Sequence, residues 1–242
     1  MPRIGTRKLK FMLDNSLQKH GISIGRDMLF DLLREYGLLV RRRKKRKCIT
    51  TDSDHPFKKY PNLIKDLIAD RPCLLWVSDI TYIALGNSYC YLSLITDAYS
   101  RKIAGYCLHT TLEKEGPLSA LKMALATGQR EKGNLLIHHS DRGLQYCCKD
   151  YIDLLAQNKI SISMTVKGDP YENALAERVN GILKTEFLLG KTFKNYEEAS
   201  KAVNSSIRTY NDQRPHGSCD YLTPEQAQQK QGTLPKRWKP SK

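Results

Sequence analysis

Residues 74–109 read LLWVSDITYIALGNSYCYLSLITDAYSRKIAGYCLH, and the fold turns on how they are divided. "LLWVSDITYIAL" is a run rich in β-branched and aromatic residues, and "GNS" breaks it. "YCYLSLITDA" and "KIAGYCLH" then repeat the pattern. Three strands joined by tight turns make a meander. Beyond it the period changes. Residues 116–127 read as a helix, and "NLLIHHSD" is a short apolar strand ending in polar residues. "LQYCCKDYIDLLAQN" (144–158) is a second helix, and "ISISMTV" (160–166) a further strand. With a helix over 167–186 the order is β-β-β-α-β-α-β-α, an α/β fold with a mixed sheet flanked by helices. Residues 195–212 add an amphipathic helix, after which the chain turns polar.

The helix at 167–186, "KGDPYENALAERVNGILKTE", carries two stripes. At its start, Asp169 is placed to cap, Pro170 suits the first helical position, and Glu172 falls three residues after the cap. Leu175, Val179, Ile182 and Leu183 form the apolar stripe expected of a buried face. Asn173, Glu177, Asn180 and Lys184, spaced 4, 3 and 4, form a second stripe that is wholly polar. A helix that only covered a core would have no need of so ordered a polar row.

The 242 residues carry 40 Lys/Arg against 25 Asp/Glu, a net charge of +15, which points to a polyanionic partner, most often nucleic acid. The charge is uneven: residues 1–60 hold 16 Lys/Arg and 6 Asp/Glu, two thirds of the excess in a quarter of the chain. There, 6–19 and 24–36 read as two short helices split by "HGIS", with Gly21 ending one and Ser23 capping the next. Leu9, Met12, Leu13 and Leu17 give one apolar face; Met28, Leu29, Leu32 and Leu33 give the other. This pattern fits a helix-turn-helix or, equally, a plain helical hairpin used for docking. Arg41, Arg42, Arg43, Lys44, Lys45, Arg46 and Lys47 follow. Seven adjacent cations repel one another until phosphates neutralise them, so we expect this run to meet DNA rather than serve as a solvated linker. Residues 61–70 read as another short helix, with Pro72 marking a boundary.

Seven cysteines, an odd number without a C-x-x-C pair, read as reduced thiols of a cytoplasmic protein. That spacing suits no zinc site. No apolar run is long enough to span a bilayer, so no membrane role is expected.

Three acids stand apart. Asp79 lies among Trp76, Val77, Ile80 and Ile83, where a carboxylate is costly unless paired, hydrogen-bonded or bound to metal. Asp141 follows the fourth strand, which in sheets of this kind is able to neighbour the first. Glu177 lies on the polar stripe, with 35 residues separating it from Asp141. Singly, each has an ordinary reading: a buried turn partner, a helix cap, half of a surface ion pair. Together they make a hard-oxygen site suited to Mg²⁺ or Mn²⁺. Two such ions serve phosphodiester chemistry by activating an attacking oxygen and stabilising a leaving one.

These acids resemble the DD(35)E triad of retroviral integrases and insertion-sequence transposases. The motifs "WVSDITYI", "DAYSRKIAGY", "HHSDRGLQY", "GDPYENALAERVNGILKTE" and "YNDQRPHGSCDYLTPEQA" resemble the orfB product of the IS-three family, firmly over 75–228 and more loosely over 5–60. The resemblance implies a ribonuclease-H-like mixed five-stranded sheet with flanking helices, preceded by a small all-α helix-turn-helix-like segment. It implies a DNA transposase performing metal-dependent cleavage and strand transfer, with Asp79, Asp141 and Glu177 holding two Mg²⁺ (or Mn²⁺) ions. It carries a DNA-contacting role onto Lys184. Arg178, Asn173 and Asn180 join it as DNA contacts, the two carboxamides orienting Glu177 or a phosphate. The implied division is 1–60 for DNA binding, 61–73 as a linker helix, 74–192 as catalytic core, and 193–242 as a C-terminal helix and polar tail. Implied partners are double-stranded DNA (transposon ends and target), at least one further copy of the chain, and an upstream-frame protein as a fusion, in the bacterial cytoplasm on the nucleoid.

The chain also departs from the families it resembles. It has no His/Cys zinc module of the retroviral kind and no heptad run or second helix-turn-helix, which fits a catalytic part alone or a truncated copy. Cys219 and Asp220 depart from the commoner wording before "YLTP". Two rival readings stay open: a nuclease of the same fold that only hydrolyses, and a non-catalytic regulator occupying transposon ends.

Overall fold

A computed structural model describes residues 1–40, 56–127, 135–166, 173–235 and 237. The Cys48 thiol, the cation run at 41–47 and the expected helix start at 169–172 lie outside them. The meander forms as its sequence requires. β1 (Leu75–Leu85) pairs antiparallel with β2 (Ser88–Asp97), which pairs antiparallel with β3 (Ile103–His109). Gly86, at φ +47°, makes the first turn. β4 (Ile137–Ser140) then adds to the other side of β1 in parallel, and β5 (Ser161–Met164) pairs parallel with β4. The main path is the expected five strands, β3-β2-β1-β4-β5. A two-residue strand, β6 (Thr192–Phe193), adds a sixth by pairing with Ala84 and Leu85. β1 has room for it, because β4 covers only Leu75–Val77.

Helices cover both faces. The period of two sends Leu92 and Leu94 one way and Ile95 the other. On the first face, Ile83, Leu92, Leu94 and Ile103 pack with Val179 and Leu183 of α6 (Ala174–Glu186) and Val203, Ile207 and Tyr210 of α7 (Tyr196–Gln213). On the second, Trp76, Ile95 and Ala104 meet Ala120, Leu121 and Ala124 of α3 (Glu115–Ala126) and Tyr151 and Leu155 of α5 (Lys149–Gln157). Each fully buried Leu or Ile contributes about 1.5–3 kcal/mol of transfer free energy, so these two layers dominate the stability of the sheet.

Several local expectations are corrected. The helix over 144–158 is broken at Cys148, whose ψ of 148° separates the short α4 (Leu144–Cys147) from α5. Residues 61–70 are not helical. Their backbone is engaged by the edge strand β5: the Met164 amide donates to the Pro61 carbonyl (3.3 Å), and the Leu63 amide donates to Ser163 Oγ (2.9 Å). Ile64 and Leu67 reach the core this way without helical spacing. α6 begins at Ala174 with Asn173 at its N-cap position, and the Asn173 side chain does not cap.

The basic N-terminal part forms α1 (Thr6–Lys19) and α2 (Arg26–Glu35), with Gly21 at φ +70° after the first. The N-cap of α2 is Gly25, not Ser23. Of the two apolar faces, Leu29 is buried while Met12 and Met28 stay exposed. The segment docks on the core. The Arg3 amide donates to the Glu186 carbonyl (3.1 Å), and Phe11 stacks on Tyr221 with centroids 4.8 Å apart.

The stretch after α7 is less polar in its packing than in its composition. A 3₁₀ turn (Gly217–Cys219) and α8 (Pro224–Ala227) place Cys219 and Ala227 in buried positions. α8 starts with a complete capping box from Thr223 and Gln226. Among the described residues all six cysteines are free thiols, and no helix is long and apolar enough to cross a membrane.

Candidate active site

Leu75, Val77, Asp79 and Ile83 share one face of β1 by the strand period, and α6 covers that face. Asp79 is thus the one acid in a row of apolar residues pointing at the helix that carries Glu177. Parallel pairing sets Leu75–Val77 of β1 beside Ile137–His139 of β4, so Asp79 and Asp141 leave neighbouring strands at the same end. Asp141 is fixed by the turn after β4: its Oδ1 accepts from the Gly143 amide at 2.9 Å. A Cβ at Gly143 would come within 3.0 Å of that same oxygen, so the glycine lets the backbone approach the carboxylate.

The electrostatics record the convergence. Burial pushes the Asp79 carboxyl up to about 7, and the Asp141 charge adds to this. Hydrogen bonds from Asn180 and the Ile80 amide pull it back, and the Glu177 charge raises it further. All three acids therefore share one electrostatic neighbourhood, and a positive ion is what such a neighbourhood lacks. Among the described residues, no three acidic, histidine or cysteine side chains are drawn together closely enough to grip an ion as they stand. Asp79 and Asp141 instead spend oxygens on protein donors. The donor set, carboxylate oxygen throughout, fits a hard divalent cation.

The polar stripe of α6 faces inward over most of its length. Asn180 Nδ2 donates to Asp79 Oδ2 at 2.7 Å, and Asn173 Nδ2 donates to the Ser78 carbonyl at 3.1 Å. Both residues are buried, and their amide donors engage β1 and Asp79. Lys184 sets its ammonium 4.0 Å from the centroid of Tyr82, three residues along β1 from Asp79. Glu177 and Arg178 are exposed.

Beneath the acids lies a polar network that sequence reasoning missed. His138 and His139 of β4 are both buried and point to opposite faces. His138 Nε2 lies 2.7 Å from Ser78 Oγ and 2.9 Å from the Tyr151 hydroxyl, tying β1, β4 and α5 together. Burial holds its imidazole down to about 3, so it stays neutral. His139 Nδ1 lies 2.8 Å from Ser163 Oγ of β5. The only signal was a His-His pair inside an apolar strand. At the far end of α6, Arg214 forks onto Glu186 with two 2.8 Å bonds, and Lys8 adds a third at 3.1 Å. Asp97, within the "DAYSRKIAGY" motif, is structural: it accepts from the Cys73, Tyr99 and Ser100 amides and closes the β2–β3 turn.

Comparison with known proteins now bears on this geometry. Two family models described as integrase core domain match residues 69–170 and 158–224. An insertion element IS600 protein of 31 kDa from Shigella sonnei is 37% identical over 222 residues, covering 91% of this chain and 79% of its own. The transposase InsF for insertion sequence IS3A from Escherichia coli K12 is 31% identical over 220 residues, covering 90% of this chain and 75% of its own. The chain belongs to the insertion-sequence transposases with an integrase core. A putative transposase for IS986/IS6110 of Mycobacterium tuberculosis, 32% identical over 215 residues (86% and 77%), agrees. For this transposase-family chain the fold has solved counterparts. The HTLV-2 integrase catalytic core, solved with magnesium, superposes with a TM-score of 0.51 at 19% identity, covering 65% of this chain and 97% of that one. A chain of the simian T-cell lymphotropic virus intasome, solved in complex with PP2A regulatory subunit B56 gamma, gives 0.58 at 19% identity over 98% of this chain and 79% of that one. The fold is therefore ribonuclease-H-like.

Proposed function

We propose that the chain is a DNA transposase that cleaves insertion-sequence ends and joins them to target DNA, with Asp79, Asp141 and Glu177 as its catalytic acids. One observation carries this reading: β1 and β4 pair in parallel so that Asp79 and Asp141 share an end of the sheet, while α6 lays Glu177 over the same end. Mg²⁺ or Mn²⁺, taken as two ions, would supply the activation of the attacking oxygen and the stabilisation of the leaving one. The chain's own part is to hold three carboxylates at one end of the sheet, Asp79 and Asp141 partly buried and Glu177 exposed above them. Asn180 fixes the rotamer of Asp79, Gly143 that of Asp141, and the His138 network keeps their two strands in register.

On this reading DNA contacts fall to Lys184, Arg178 and the cations 41–47, whereas Asn173 and Asn180 act as positioning groups. Residues 1–60 serve DNA binding, 61–73 connect, 74–192 carry the chemistry, and 193–242 brace it. Joining two ends calls for at least two copies on DNA. The upstream-frame fusion and a place on the nucleoid in the bacterial cytoplasm follow from the same reading.

The test is incubation with labelled transposon-end duplex and Mg²⁺. Cleavage followed by joining to a second duplex is expected. Asp79→Asn, Asp141→Asn and Glu177→Gln, which keep shape and lose charge, should each abolish both steps and keep DNA binding. Cleavage without joining would favour the purely hydrolytic enzyme, and an amide variant cleaving at the normal rate would remove that residue from the site.

A further inference from the structure

A groove of about 1010 Å³ opens between α1, α2, α6 and the turn after Gly217–Cys219. Its walls include four cations, Arg7, Lys8, Arg178 and Arg237, and two aromatic rings, Phe30 and Tyr221; none of the lining residues is acidic. The nearby carboxylates neutralise it only in part. Asp220 holds Arg237, and Glu186 is shared between Lys8 and the buried Arg214. Among the described residues no carboxylate pairs with Arg7 or Arg178. Arg178 is near enough to the Lys8 ammonium and the His216 imidazole to disfavour a further charge on either. The groove thus has excess positive charge and aromatic surface together.

Two further features narrow its occupant. Arg178 follows Glu177 on α6 and is turned about 100° from it, so the groove lies along an adjoining face of the helix that carries that proposed acid. Tyr221 is delivered to the wall by two consecutive non-glycine residues in the left-handed region, Asp220 at φ 56° and Tyr221 at φ 59°. Such backbone persists where the surroundings over-determine it, and it is commonest at working sites. Phe11 stacks on the Tyr221 ring, which stiffens it. The volume is near the top of the roughly 300–1,000 Å³ range of small-ligand pockets, which suits a few nucleotides and not a duplex. A basic channel with aromatic platforms is how proteins take single strands: phosphates meet the cations and bases meet the rings.

We propose that this groove holds a short single-stranded flank of the DNA end, leading away from the scissile bond, with phosphates on Arg178, Arg7 and Lys8 and a base against Tyr221 or Phe30. The proposal rests on the transposase reading of the neighbouring acids. Stacking of one base is the term that distinguishes it from general attraction to DNA.

The experiment uses the full chain and two labelled probes: a blunt end duplex, and the same duplex with a three-nucleotide single-stranded flank. Arg178→Ala lies on an exposed helix face, and Tyr221→Asn keeps a residue that tolerates positive φ, so folding is checked by melting and retained in at least one. Both variants should lose more affinity on the flanked probe than on the blunt one, and Tyr221→Asn should lose roughly 5- to 150-fold more, the worth of about one stacked base. Arg178→Ala should also lower the salt slope for a single strand by about 0.7, one phosphate contact. Equal losses on both probes, or none, overturn the proposal. So does displacement of the flanked probe by a polyglutamate peptide as readily as by an unlabelled single strand. The two readings fail separately. Groove variants that bind like the parent while Asp79→Asn is inactive remove only the groove; Asp79→Asn that still cleaves removes the reading of the acids.

Discussion

Asn180 and Asp79 lie 101 residues apart in the chain and are joined by a 2.7 Å hydrogen bond from the carboxamide of α6 to the carboxylate of β1. The bond runs from the helix that carries Glu177 to the strand acid most perturbed by its surroundings. It therefore locks two of the three proposed ligands into one geometry. Without it the Asp79 carboxylate would keep only the Ile80 amide on its other oxygen, at 2.9 Å.

Asn180→Ala should reduce end cleavage while sparing DNA binding. A hydrogen bond to a charged group contributes about 1.5–3 kcal/mol, so the loss is expected to be roughly 10- to 150-fold in rate. Asn180→Asp, which sets a like charge against Asp79, should be worse, and Asn180→Gln should recover little because its longer stem displaces the amide. Single-turnover cleavage at saturating DNA measures this; a rate within twofold of the parent for Asn180→Ala refutes the positioning role.

Lys184 rests over Tyr82 and lies about 10 Å along the helix from Glu177, at about 1.5 Å per residue. It is too far to share a metal ion and well placed for a nearby phosphate. Lys184→Ala should lower activity by mispositioning DNA, with metal binding intact. Tyr82→Leu should cost only a few-fold, since an exposed cation–π contact is worth about 0.5–1 kcal/mol. A photoreactive group at 184 should crosslink to terminal nucleotides, and failure to do so would reduce Lys184 to a solvated helix residue.

Glu186 braces the far end of α6. Burial alone would raise its carboxyl, yet the hydrogen bond and charge of Arg214, with Lys8, hold it below the usual glutamate range. A depressed folded-state pKa means that its stabilisation is fully present above the ordinary value near 4.3 and is lost as pH falls through the folded-state value. Glu186→Gln leaves Arg214, 2% exposed, with an uncompensated buried charge. It should destabilise by about 3–5 kcal/mol near neutrality. The melting temperature of the variant should vary less with pH below about 4 than that of the parent; parallel curves would count against the assignment.

Gly105 on β3 has no room for a side chain. A Cβ there would lie 2.1 Å from the Ala120 carbonyl and 2.7 Å from the Ala124 amide, both backbone atoms of α3 that cannot swing aside. Gly105→Ala should force α3 off the sheet and cost about 1–3 kcal/mol or more. Urea denaturation reads this directly, and an unchanged midpoint would mean that α3 shifts freely.

Much of this protein is legible in its sequence because the signals are local. The period of two across 74–109, the alternation of strands and helices after it, and the apolar stripe of α6 each follow from residues within one or two turns of one another. The three acids stand out for the same reason: they sit in apolar or periodic surroundings where an acid needs a cause. Local signals failed where a tertiary partner competed. Leu63, Ile64, Leu67 and Ile68 have helical spacing, yet the edge of β5 captured the backbone of Pro61 and Leu63 and left Ile68 exposed. Helix propensity contributes tenths of a kcal/mol per residue, less than satisfying edge amides and burying Ile64 and Leu67 together.

What only the tertiary structure decided is who answers each buried polar group. The stripe of α6 announced that Asn173 and Asn180 had work to do, but not that they face Ser78 and Asp79. Nothing near Arg214 in the chain names Glu186 as its partner, and nothing near His138 names Ser78 and Tyr151. Burial creates the demand for a partner, and the packing of distant elements alone determines which group lies within 3 Å to meet it.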